Sequence, residues 1–147
     1  VPLAKKITLR SGCACVIGLD NRIYCWGNDA GFGAGSCNVN GPEGKSEPIG
    51  GLPNAAPVAV DAGDGFACTL LADGSVYCWG DPTNAVSNSQ QAQRADLPPA
   101  RQLDAGDKHI CAVTTDGRVF CWGQNRFNQI GDGKGKPYNE LVQLELY

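Results

Sequence analysis

The stretch Ala67-Cys68-Thr69-Leu70-Leu71-Ala72-Asp73-Gly74-Ser75-Val76-Tyr77-Cys78-Trp79-Gly80 reads as a β-hairpin. A three-residue hairpin loop is a type I turn followed by one residue in the left-handed region, which forms a bulge. With Ala72-Asp73-Gly74 in that loop, Gly74 takes the left-handed position, where a side chain is least welcome. The same register sets Cys68 directly opposite Cys78, a cross-strand placement that a disulfide can span. Turn chemistry and cysteine spacing thus predict one register from two unrelated requirements.

Side chains alternate along a strand, so the register also fixes the faces. Cys68, Leu70, Val76 and Cys78 share one face; Ala67, Thr69, Leu71, Tyr77 and Trp79 share the other. Both faces are largely apolar, and a sheet of that kind must be covered on both sides.

The pattern occurs three times. Ala14 to Gly27 and Ile110 to Gly123 repeat it, each ending in Cys-Trp-Gly, with Asn21 and Gly117 at the left-handed position. Short strand-like stretches precede each copy: Ile7-Thr8-Leu9 then Gly12, Val58-Ala59-Val60 then Gly63, Arg101-Gln102-Leu103 then Gly106. The tryptophans Trp26, Trp79 and Trp122 are 53 and 43 residues apart, a period expected of a propeller, solenoid or array. The expected fold is all-β, with three disulfide-stapled blades of propeller type. They would form a partial propeller, or one subunit of an oligomeric ring or filament. Repeats are expected over 1–54, 55–97 and 98–140, with an extra terminal strand over 141–147 standing where a fourth repeat would begin.

Of the 8 cysteines, six fall into pairs with the same ten-residue separation: Cys15–Cys25, Cys68–Cys78 and Cys111–Cys121. Cys13 and Cys37 remain, to pair with each other or between chains. Metal knuckles place cysteines closer together, so structural disulfides are the expectation, and with them an extracellular location, secreted or cell-surface. The chain of 147 residues opens at Val1 and has no Met, which fits a processed chain or an excised fragment. Acidic residues outnumber basic ones 15 to 12, and no basic run exists, which argues against nucleic acid as a partner. No apolar stretch is long enough for a membrane span.

The third copy continues Gln124-Asn125-Arg126-Phe127-Asn128-Gln129-Ile130-Gly131-Asp132-Gly133, and Asp104-Ala105-Gly106 and His109 precede it. This resembles the repeat of the regulator-of-chromosome-condensation family. The second copy keeps Asp61-Ala62-Gly63 but has a polar loop from Asp81 to Asp96; the first has a longer Gly-rich segment holding Cys37. Cysteine-bearing versions resemble those of secreted bacterial proteins and of Crinkly-type receptor ectodomains. The resemblance implies a β-propeller, usually of about seven four-stranded blades. It does not imply one function, since such proteins bind a small GTPase and chromatin, sense ultraviolet light, inhibit β-lactamases or serve as receptors.

Little in the sequence points to catalysis. His109 is the only histidine, and it stands at the repeat's customary histidine position, where a structural role is expected. Asp61, Asp73, Asp104 and Asp116 recur at turns and strand ends, which reads as turn chemistry. Asp132-Gly133-Lys134-Gly135-Lys136 lacks the alternating oxygen ligands and final Glu of a calcium loop. No catalytic residue, metal or cofactor is expected, and the tryptophans are assigned to packing between blades. Ligand contacts are expected on the segments that differ between copies, because loops on a rigid scaffold carry specificity. The candidates are Asn38, Asn40 and Lys45 in the first, Asn84, Asn88 and Arg94 in the second, and Gln124, Asn125 and Arg126 in the third. The function expected is a non-catalytic binding or assembly module for a protein or glycan partner, with self-association. A self-assembling structural protein and an enzyme inhibitor of propeller type are the alternatives.

Overall fold

A computed structural model describes residues 3–10, 13–27, 48–80, 91–133 and 138–145. The first hairpin comprises β2 (Cys13–Gly18) and β3 (Ile23–Gly27), with β1 (Ala4–Arg10) beside β2. The second sheet runs β4 (Pro57–Ala62), β5 (Phe66–Leu71), β6 (Val76–Gly80) and β7 (Gln93–Arg94). In the third, β8 (Ala100–Ala105), β9 (His109–Thr114), β10 (Val119–Gly123) and β11 (Tyr138–Leu144) lie side by side. All pairings between these strands are antiparallel, and no helix occurs among the described residues.

The hairpin register is the expected one in all three copies. Cys15 faces Cys25, Cys68 faces Cys78 and Cys111 faces Cys121, and each pair is bonded. Asn21, Gly74 and Gly117 take the left-handed position at φ 62°, 83° and 88°. Each turn closes the same way: Asn21, Gly74 and Gly117 donate their amides to Gly18, Leu71 and Thr114. The aspartate before each of them accepts from the residue after it, as Asp73 Oδ1 does from the Ser75 amide at 2.9 Å.

Two details of the first strands escape the sequence pattern. Their register slips at the same place in every sheet, between Ala4 and Lys6, Pro57 and Ala59, and Ala100 and Gln102. Arg10, rather than Gly12, occupies the position of Gly63 and Gly106, since Thr8, Asp61 and Asp104 are the residues opposite Cys15, Cys68 and Cys111. The glycines are required by the rings that cover them. A Cβ on Gly63 would lie 2.0 Å from the Phe66 ring, and one on Gly106 2.1 Å from the His109 ring. In the first sheet that ring position is Cys13, across from Arg10. The pairing of Cys13 with Cys37 lies outside the described residues.

The terminal stretch is also placed differently from expectation. Leu141 to Leu144 do not begin a further repeat; they belong to β11, which pairs with β10 as the outer strand of the third sheet. A shorter outer strand occupies the same place elsewhere: β7 on β6, and on β3 a bridge from Tyr24 to Pro48 with the Ile49 amide donating to Ile23 at 2.9 Å.

The core consists of the joints between successive sheets. Cys15, Ile17, Ile23 and Cys25 of the first sheet pack with Val60, Ala62, Ala67 and Trp79 of the second. Cys68, Leu70, Val76 and Cys78 of the second pack with Ala105, Ile110, Ala112 and Trp122 of the third. The Cys15–Cys25 and Cys68–Cys78 disulfides therefore face forward along the chain, and Trp79 and Trp122 face backward, onto the preceding sheet. The middle sheet is covered on both sides, and every residue of β5 is buried. These stacked, disulfide-stapled antiparallel sheets are β-propeller blades.

Candidate interaction surface

β1, β4 and β8 lie next to one another at the inner edge of the stack. There Asp61 joins three sheets with one carboxylate. Its Oδ1 accepts the Thr8 hydroxyl at 3.0 Å and its own neighbour's amide, from Ala62, at 2.9 Å. Its Oδ2 accepts the Ala105 amide of the third sheet at 2.8 Å. Asp61 was expected to serve turn chemistry; its work is to satisfy a strand-edge N–H across the joint, which an aspartate at a strand end can reach.

The turns that follow these inner strands meet at one end of the stack. Lys108 pairs with Asp64 at 2.9 Å, linking third sheet to second, and Arg10 pairs with Asp107 at 3.1 Å, linking first to third. Both pairs are partly or largely solvent-exposed, so each is worth about 0–1 kcal/mol. Their effect is positional: three turns are held in one surface of nearly balanced charge.

The outgoing ends of the hairpins reach the same surface. Gly27, Gly80 and Gly123 sit opposite Cys13, Phe66 and His109, where β2, β5 and β9 begin. All three are in positive φ, and a Cβ on Gly123 would lie 2.6 Å from the Lys108 carbonyl. That close approach explains the glycine of Cys-Trp-Gly. The segments that differ between copies thus leave their sheets at a common end.

The third such segment is described over residues 124–133, and there it is a built loop. Asn125 is completely buried; its Nδ2 donates to Asp132 at 2.8 Å and its Oδ1 accepts the Ile130 amide at 3.0 Å. Asn128 adopts φ 58° and accepts the Gly133 amide through Oδ1 at 3.0 Å. Asn125, one of the candidates for ligand contact, thus has both ends of its amide used within the loop, which it shapes. Gln124 is half-buried, with its amide on the Lys108 carbonyl at 2.6 Å. Arg126 is exposed, and beside it Phe127 stands 82% exposed. Phe127 was not singled out by sequence; its signal was an aromatic with no place in the strand alternation. Arg94 is exposed on β7, opposite Tyr77. Asn38, Asn40, Lys45, Asn84 and Asn88 lie outside the described residues.

The opposite end of the stack carries a groove of about 560 Å³ between the first hairpin turn and the link to the second sheet, lined by Asp20, Arg22, Ile49, Leu52 and Pro53 among others. Its carboxylate, Asp20, is already engaged by the Arg22 amide and the Tyr24 hydroxyl. His109 lays its ring over Gly106. Among the described residues no cluster of three or more metal-ligating side chains occurs.

Residues 58–85 and 100–129 match the regulator of chromosome condensation (RCC1) repeat. No curated protein matches the chain. Among solved structures, Prp20p of Saccharomyces cerevisiae, described with its binding properties to Gsp1p and histones, superposes with TM-score 0.80 at 19% identity, over 97% of this chain and 38% of that one. Human WBSCR16 gives TM-score 0.75 at 16% identity, over 97% and 40%. The CRINKLY ectodomain of the Arabidopsis thaliana receptor kinase ACR4 gives 0.55 at 23% identity, over 92% and 38%. These likenesses are of fold, and the chain spans about two fifths of each.

Proposed function

We propose that this chain of RCC1 repeats is a non-catalytic, extracellular binding module that presents the loops at the Gly27, Gly80 and Gly123 end of its sheets to a protein or glycan partner. The observation that carries the reading is that common end. Three segments of different sequence leave equivalent positions, beside turns tied together by Arg10–Asp107 and Lys108–Asp64. A scaffold that is constant where it packs and variable where it ends is the arrangement in which loops carry recognition. The pre-formed 124–133 loop adds an exposed arginine and an exposed phenylalanine, types enriched at protein interfaces. The three disulfides support an oxidising, extracellular setting.

The test is to probe the immobilised 147-residue chain against a glycan array and against the extracellular proteins of its source. Any retained ligand is then titrated against the double variant Arg126→Ala/Phe127→Ala. A roughly tenfold or greater loss of affinity with an unchanged melting temperature is expected. Retention of full affinity in that variant would move recognition away from this end.

A further inference from the structure

The two joints inside the molecule close differently at the hairpin-turn end, and the difference leaves a built groove. Between the second and third sheets, the Gly74 carbonyl accepts the Ala100 amide at 2.8 Å, and a Cβ on Gly74 would lie 2.7 Å from Pro99. The turn is thereby sealed against the link Leu97-Pro98-Pro99-Ala100, whose Leu97 is buried in the joint. By strand register, Pro57 of the first joint stands where Ala100 stands in the second. Ala56 stands where Pro99 does, since the Ala72 and Thr115 amides donate to Ala56 and Pro99 in turn.

Three sequence differences keep the first joint from sealing. Pro57 has no amide hydrogen to give the Asn21 carbonyl. Asn21, at φ 62°, carries a Cβ where the sealed joint has room only for glycine. Four residues, Pro53-Asn54-Ala55-Ala56, separate the half-buried Leu52 from Pro57, where only two separate Leu97 from Ala100. The result is the groove of about 560 Å³, within the usual range of ligand sites. Ile23, Ile49 and Leu52 supply its apolar lining, and Arg22 and Asn54 are exposed around it. Arg22 makes no ion pair among the described residues. The Lys5 ammonium donates to Asn21 Oδ1 at 2.6 Å, so two cations flank a turn whose one carboxylate, Asp20, is already engaged.

We propose that this groove binds an extended, acidic, proline-containing peptide segment of a partner protein. A main-chain amide of the peptide takes the place of the Ala100 amide, on the Asn21 carbonyl. Its proline packs against Ile49 and Leu52, and its carboxylate meets Arg22. The sealed joint supplies the template, because there a proline followed by an amide fills the equivalent place. A separate segment, untethered by the link, can sit back from the Asn21 Cβ. Proline segments are extended and low in entropy before they bind, which suits them to a preformed groove. This site lies at the end of the stack opposite the 124–133 loop and acts independently of it.

The experiment is isothermal titration of the full 147-residue chain with the capped peptide Asp-Leu-Pro-Pro-Ala, the sequence of residues 96–100. Saturable one-to-one binding is expected. A sealing variant, Asn21→Gly/Pro57→Ala with residues 54 and 55 deleted, should bind at least ~10-fold more weakly, having lost its free carbonyl and its groove. Arg22→Ala should weaken binding about 2–5-fold, the worth of an exposed ion pair. Arg22→Glu should reject this peptide and prefer one with Lys in place of Asp. Circular dichroism shows whether the variants are folded; if the sealing variant is not, the Arg22→Glu charge swap decides. No saturable binding by the wild-type chain, equal binding by a folded sealing variant, or a charge swap that leaves the preference unchanged overturns the proposal. The Arg126→Ala/Phe127→Ala variant should bind the peptide as the wild type does, so failure of this site and failure of the loop reading are distinguishable.

Discussion

The Oδ2 of Asp61 lies 2.8 Å from the amide nitrogen of Ala105, forty-four residues further along the chain, and this bond crosses from one sheet to the next. Asp61→Ala leaves that amide without its acceptor, as well as freeing the Thr8 hydroxyl. The expected cost is about 1–3 kcal/mol. Asp61→Asn should lose less, because its amide oxygen still accepts. Urea unfolding midpoints for the two variants check this, and equal losses would show that the carboxylate does not bridge the joint.

The hairpin glycines should differ from one another. Gly74 and Gly117 share a left-handed φ, but a Cβ on Gly74 would lie 2.7 Å from Pro99, whereas one on Gly117 meets nothing within 4 Å. Gly117→Ala should cost only the left-handed penalty of about 1–2 kcal/mol. Gly74→Ala must also displace the chain at Pro99 and should cost clearly more. Thermal unfolding of the pair decides it.

In the 124–133 loop, shape and contact are separable. Asn125→Ala removes two hydrogen bonds of a buried side chain and should lower stability by about 1–3 kcal/mol while also impairing any binding there. Phe127→Ala should leave the melting temperature unchanged, since its ring is solvent-exposed. A stability loss in Phe127→Ala would mean that the ring packs against the protein.

Acid should weaken the hairpin turns. Asp116 is held well below the usual aspartate value of 3.8, first by the Arg118 side chain and then by the Thr114 hydroxyl. Asp73 is lowered by the Ser75 hydroxyl and then the Ser75 amide, and Asp20 by the Tyr24 hydroxyl and then the Arg22 amide. Groups depressed in the folded state contribute stability above their unfolded value, near pH 4, and lose it as pH falls through the folded value. Melting temperature should therefore fall between about pH 4 and pH 2, and fall less in the triple variant Asp20→Asn/Asp73→Asn/Asp116→Asn. Parallel profiles for the two proteins would assign the acid sensitivity elsewhere.

The hairpins were legible in the sequence because two constraints coincided: a ten-residue cysteine separation and a residue tolerant of positive φ at the one position that needs it. The packing role of Trp79 and Trp122 was legible for the same reason, since register fixes face. What register alone does not encode is the partner of a strand. Leu141 to Leu144 alternate as a first strand does, yet they pair with β10, because an outer and an inner strand need the same alternation. The shared bulge at Lys5, Val58 and Arg101 left no trace, since one extra residue in so short a strand disturbs no visible period. Gly12 was aligned with Gly63 and Gly106 on identity alone; the aromatic ring that makes those two glycines necessary is absent opposite Arg10. Asn125 looked like a surface amide because burial within a loop has no sequence signature.

The forward disulfide and backward tryptophan have a genetic corollary. Each sheet carries both the socket and the plug of one standard coupling, so a coding segment for a whole repeat can be duplicated, deleted or transposed without redesigning its neighbours. Swapping the second and third repeats by recombination should therefore yield a folded chain, whereas reversing the order of strands within a repeat should not.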